Sequence, residues 1–215
     1  ILPQYEELYK ELTPFKLTQD YIWEAFYAVD MISFGRNFFE LASLLNQKAT
    51  GEVMMKEIES LNNKVQSYFK DYNAPTDKKV FAALLKMYYD NIDKAFHPSF
   101  FKEVEEKYKG DFAKYADDVY DNTMFADKTK LDKFLSKPKL SGLQKDPGYQ
   151  IWRSVNNLYG LNIYPTIADI NFQIDSLNRL YMLGQMEFRT DEVFYPDANF
   201  TLRVTYGKVD DYYPS

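Results

Sequence analysis

Apolar residues recur at roughly 3.6-residue spacing from Gln4 almost to Thr190, a pattern that commits the chain to helices packed on one another. The clearest run starts at Thr18, a candidate N-cap, and passes through Ile22, Phe26, Val29, Phe34, Phe38, Leu41 and Leu45. It predicts a long central helix with a broad apolar face. Ahead of it, Gln4 to Leu12 reads as a short amphipathic helix stopped near Thr13 and Pro14. The period changes only near the end. From Asn199 to Tyr206 polar and apolar residues alternate, with Phe200, Leu202, Val204 and Tyr206 on one face, which is the mark of a half-buried strand. One strand cannot satisfy its own backbone groups, so its partners must come from elsewhere. The fold class expected is mainly α, a multi-helix bundle-like domain with a short C-terminal β segment.

Between these segments the helix signals are regular. A third helix is predicted from Thr50 through Leu61, Val65 and Tyr68 to the turn "NAPT", where Thr76 is the expected cap of "DKKVFAALLKMYYDNI". Ser99 is expected to cap "FFKEVEEKYKG", with Gly110 ending it, Asp111 starting "FAKYADDVYDN" and Asp127 capping "KTKLDKFLS". "KPKLSGLQKDPG" reads as the clearest loop, followed by helices over "YQIWRSVNNLYG" and "YPTIADINFQIDSLNRLYMLGQMEF". No internal repeat of fixed period is visible, which argues against a solenoid.

Composition narrows the function. With 46% apolar and 27% charged residues the chain has a globular balance, and no apolar run reaches membrane-spanning length. A net charge of -6 without a basic block argues against nucleic acid or an anionic membrane as partner. There is no cysteine, hence no disulfide framework and no thiolate metal site. The single histidine, His97, has no second His or Cys with which to build a metal site, and no nucleophile elbow, phosphate loop or zinc-protease helix is present. Neither cofactor nor metal is expected. Doublets such as Glu105–Glu106 and Asp117–Asp118 point apart on a helix and read as solvated. Among the five arginines, Arg179 and Arg189 read as partners in structural ion pairs. Aromatic residues make up 18% of the chain, which fits an aromatic core or, as a rival, a stacking surface for sugars or peptides. The chain opens at Ile1 with no initiator methionine and no signal-peptide pattern, as expected of processed or trimmed material.

Four stretches carry a resemblance. "NRLYMLGQMEF" and "YPDANFTLRVTYG" near the end, with "APTDKKVFAALLKMYYDN" and "EKYKGDFAKYADDVYDNTMFADKTKLDKFLSKP" before them, are similar in order and content to the bacterial serine dipeptidyl peptidases of the seven and eleven type. That resemblance implies a chymotrypsin-like double β-barrel with a His-Asp-Ser triad and a helical domain inserted between the aspartate and the serine. Residues 1–190 then correspond to the helical lid or regulatory domain, and 191–215 to the start of the second half of the catalytic barrel. The triad His and Asp would lie upstream of Ile1 and the serine, in a Gly-Asn-Ser-Gly motif, downstream of Ser215. No catalytic, cofactor or metal residue is therefore expected within the chain, and the piece alone is expected to be inactive. The pair Asp210–Asp211 departs from the small residues expected before the next strand.

The resemblance further implies a peptide substrate for the parent enzyme, a periplasmic, cell-surface or secreted location, and homodimers among relatives, which an excised insert need not form. The rival is a freestanding aromatic-rich helical binding protein for glycans or peptides at the cell surface.

Overall fold

The computed structural model describes residues 1–195, 202 and 204–210. Two compact units are present, Ile1–Ile174 and Asp175–Ser215. The larger holds helices α1 (Leu2–Tyr21), α2 (Asp30–Gly35), α3 (Phe39–Asn46), α4 (Glu52–Asp71), α5 (Ala74–Asn91), α6 (Phe101–Tyr108), α7 (Phe112–Asn122), α8 (Lys128–Ser136), α9 (Leu140–Lys145) and α10 (Pro147–Leu158). The last helix, α11 (Tyr164–Phe188), begins in this unit and carries the division between the two. The mainly α, multi-helix architecture is as expected.

Several boundaries differ from the sequence reading, each for a physical reason. α1 does not stop at Pro14 but runs through it, and Thr18 is a buried helix residue rather than a cap. Its hydroxyl donates to the Pro14 carbonyl oxygen at 2.8 Å, a bond along its own helix that satisfies the buried hydroxyl. The long helix expected from Thr18 is broken into a π-turn over Ile22–Phe26, then α2, a 3-10 turn over Arg36–Phe38, and α3. Apolar residues at 29, 31, 32, 34 and 38 cover more than one helix face, and the breaks let all five reach the core.

The break before α2 leaves amides that no local side chain caps. The Asp77 carboxylate, arriving from α5, accepts from the amides of Asp30 at 2.8 Å and Met31 at 3.1 Å, and from the hydroxyls of Tyr72 at 3.2 Å and Tyr120 at 2.6 Å. One buried side chain thus ties together α2, the α4–α5 junction, α5 and α7.

Asp111 and Asp127 cap α7 and α8 as expected. At α5 the cap is Asn73, whose side chain accepts from the Thr76 amide at 3.0 Å, because Pro75 already sits in the first turn. Ser99 does not cap α6, since its hydroxyl lies 2.9 Å from that of Ser154. α6 ends at Tyr108, and Lys109 after it takes the left-handed conformation, with Gly110 following at a positive φ of 77°. The supposed loop "KPKLSGLQKDPG" contains α9, which buries Leu143.

Most rings go to the interior, which is the plainer of the two readings of the aromatic content. Phe26, Tyr88 and Phe101 pack together, with centroids 4.7 Å apart for Phe26–Tyr88 and 5.8 Å for Tyr88–Phe101. Tyr88 is fully buried and its hydroxyl donates to the Phe96 carbonyl at 2.8 Å. A second set joins Phe34, Phe38 and Phe125.

The smaller unit contains the remainder of α11, with Leu180, Tyr181, Leu183, Met186 and Phe188 exposed, and an exposed ion pair between Arg189 and Glu192 at 3.2 Å. Helix ends at Phe188, so the expected lid boundary at 190 falls just past the last helical residue. The predicted strand is in part outside the described residues, at 199–201 and 203. Its described positions, Leu202 and 204–206, carry no strand, and no second strand for them to pair with occurs among the described residues.

Candidate functional site

Residues of α3, α9 and α10 line an open groove of about 380 Å³ within the larger unit. Helix α10 supplies the largest share of its lining, and the sequence "DPGYQ" fixes where that helix begins. Asp146 is its N-cap and Pro147 its first residue. The Asp146 carboxylate accepts from the Tyr149 amide at 3.0 Å, the Thr123 hydroxyl at 2.9 Å and the Met124 amide at 2.7 Å. Burial pushes its carboxyl above the usual range, and these hydrogen bonds oppose that shift. Gly148 lets α10 approach closely, since a Cβ there would lie 2.6 Å from Met31 Sδ and 2.7 Å from Thr123 Oγ1.

Beyond this anchor the helix presents Trp152, Arg153, Asn156 and Asn157 to the groove. Trp152 is buried, packs against Tyr149 at 5.3 Å, and meets the exposed ring of Phe39 edge-on at 6.1 Å. Asn46 from α3 and Gln144 from α9 add two more amides. Arg153 is the only charged side chain of the lining, and no carboxylate among the described residues pairs with it. The site offers amide donors and acceptors, one cation and aromatic edges. It holds no nucleophile paired with a base.

Residues singled out from sequence are placed apart from the groove. The His97 ring donates from Nε2 to the Ile92 carbonyl at 2.9 Å and packs against Tyr89 and Phe101 at 4.9 and 5.0 Å, a turn-closing role. The acidic doublets diverge as expected. Glu105 accepts from the Tyr89 hydroxyl while Glu106 faces Lys102, and Asp117 pairs with Lys78 while Asp118 accepts from the Tyr108 hydroxyl. Arg189 has its exposed partner, but among the described residues Arg179 enters no ion pair. No group of three or more His, Cys, Asp or Glu among the described residues could hold a metal ion, and none of their helices is long and apolar enough to cross a membrane. The groove residues carry no sequence signature, because amides mark no particular chemistry. The spacing of Trp152 to Asn156 and of Arg153 to Asn157, four residues in each case, was the available signal.

Comparison with known proteins covers the whole length. The family described as Peptidase S46 matches residues 1–215. The chain belongs to the peptidase S46 family. Among S46-related proteins, the Asp/Glu-specific dipeptidyl-peptidase of Flavobacterium psychrophilum is 33% identical over 218 residues, covering 100% of this chain and 30% of that protein. The dipeptidyl-peptidase 7 of Phocaeicola vulgatus is 32% identical over 179 residues, covering 80% of this chain and 25% of its own length. An Asp/Glu-specific dipeptidyl-peptidase of Capnocytophaga gingivalis is 29% identical over 221 residues, with 100% of this chain and 30% of that protein covered. The S46 chain thus spans at most about a third of these relatives, and the resemblance read from sequence is borne out at the level of the family.

Proposed function

We propose that this chain is the helical portion of a serine-type dipeptidyl peptidase, acting as a cap over an active-site cleft carried by the rest of the polypeptide. The observation that carries the reading is coverage: the family matches residues 1–215, while the relatives named above are about three times as long. The parent would remove dipeptides from peptide N-termini. A rigid helical body over a cleft restricts entry to short peptides and excludes water from the reacting bond, and its movement can gate substrate entry. The aromatic core around Tyr88 suits such a body, and the engagement of His97 with a backbone carbonyl supports placing the triad elsewhere. On this reading the chain alone is inactive, the parent works in the periplasm, at the cell surface or outside the cell, and it assembles as a homodimer.

The rival of a freestanding binding protein has in its favour the half-exposed rings of Trp23, Phe39 and Tyr164. The match to a peptidase family over the whole chain weighs against it.

The test is the complete gene product, incubated with peptides bearing free or acetylated N-termini and analysed by mass spectrometry. Release of dipeptides from the free-ended peptides alone is the expected result. No dipeptide release by the complete product, or release by the 215-residue chain on its own, overturns the proposal.

A further inference from the structure

We propose that the groove between α3, α9 and α10 binds a short peptide in extended conformation, with an acidic side chain of that peptide set against Arg153. The site has no reacting group, and the proposal stands whether or not the peptidase reading does.

The first argument is chemical. The side-chain amides of Asn46, Gln144, Asn156 and Asn157 line the groove. None of the four makes a hydrogen bond to another described residue. An amide side chain carries a donor and an acceptor in one plane, and so does the backbone of an extended peptide. A glycan would instead call for an exposed flat ring and carboxylates around it. Here Phe39 offers an exposed ring, but Trp152 is buried and no carboxylate lines the groove to take a sugar's hydroxyls.

Spacing is the second argument. Trp152 and Asn156 stand one above the other on α10, as do Arg153 and Asn157, each pair about 6 Å apart along the axis. Alternate residues of an extended chain repeat at about 6.6 Å, so a peptide running along α10 keeps step with these pairs. The floor from Tyr149 to Asn157 measures about 12 Å by helix rise. At about 3.3 Å per residue that length accommodates three or four residues of extended peptide.

Charge selects among peptides. The chain as a whole carries -6, yet the groove lining has one guanidinium and no acid. A planar guanidinium set among neutral amides favours a carboxylate, which it can take through two parallel hydrogen bonds. An aspartate or glutamate on the bound peptide fits that position.

The experiment is fluorescence polarisation with a labelled pentapeptide, Ala-Glu-Ala-Glu-Ala, acetylated and amidated at its ends so that no exopeptidase can turn it over. Its Ala-Gln-Ala-Gln-Ala counterpart and cellopentaose are the comparison ligands. The acidic peptide should bind about tenfold more tightly than the glutamine peptide at low salt. Arg153→Gln should abolish that preference and leave binding of the glutamine peptide unchanged. Asn156→Ala should weaken both peptides by about tenfold, with unchanged urea midpoints for both variants showing that the fold is intact. Several results would overturn the proposal: no saturable peptide binding, binding indifferent to both substitutions, or a preference for cellopentaose.

Discussion

Replacing Asp77 with alanine removes the acceptor for four donors at once. Two of them cannot find water. The Met31 amide belongs to a fully buried residue, and the Tyr120 hydroxyl bonds Asp77 through a buried contact. Burial, and after it the neighbouring Asp77 charge, pushes the Tyr120 phenol well above its usual range, so it remains the donor. At about 2 kcal/mol for each buried donor stranded, the loss is about 4 kcal/mol, which is a large part of the 5–15 kcal/mol typical of a domain. In urea, with a slope near 3 kcal/mol per molar, the midpoint should fall by about 1.3 M.

Two milder variants calibrate this figure. Asp77→Asn keeps an oxygen for the Asp30 amide but turns a donor toward Met31, for about 2 kcal/mol. Tyr120→Phe deletes one bond, for about 1–2 kcal/mol. Amide exchange should quicken at Met31 in the alanine variant. A loss below about 1 kcal/mol in Asp77→Ala, with Met31 still protected, would refute the idea that this carboxylate caps α2 from a distance.

Other substitutions probe the same framework. Gly148→Ala should lower the melting temperature, costing about 2 kcal/mol despite alanine's better helix propensity, because its Cβ would meet Met31, Thr123 and Phe125; a rise in melting temperature would contradict the close approach. Asp146 has a carboxyl raised above the ordinary 3.8 by burial, so its contribution to stability is fully present below the unfolded value and declines as pH rises through the folded one. The stability advantage of the native protein over Asp146→Ala should therefore be larger at about pH 4 than at pH 7 in paired urea titrations, and a smaller advantage at the lower pH would contradict this sign. Pro14→Ala should raise the melting temperature, by about 1–3 kcal/mol of stability, since it returns a backbone donor to the interior of α1; a fall would show that the ring makes packing contacts of greater value.

The parts of the fold legible in sequence were those governed by near neighbours. Asp111 and Asp127 cap the helices that follow them because the acceptor and the free amides lie within three residues of each other. The failures came where distant residues decide. Nothing local to Val29 announces a helix break, because the group that stabilises the break, Asp77, lies 47 positions beyond Asp30. Pro14 looked like a stop, but one lost hydrogen bond is a small loss beside the burial of Leu12 and Thr18 on either side. At Asp146 the opposite holds: "DPG" reads as loop, although an aspartate before a proline is also an N-cap before the first helical residue. The groove escaped notice for a related reason, since its residues come from three helices and only α10 shows the four-residue spacing on its own.

The central proposal is that the chain belongs to a serine-type peptidase whose acyl-transfer residues lie outside these 215 residues. The most direct test treats the complete gene product with a serine-directed fluorophosphonate and maps the labelled residue by mass spectrometry. The account predicts a single labelled serine beyond residues 1–215, and no labelling of the 215-residue chain by itself. A label on any serine within these residues, or no label on an active complete product, would contradict it.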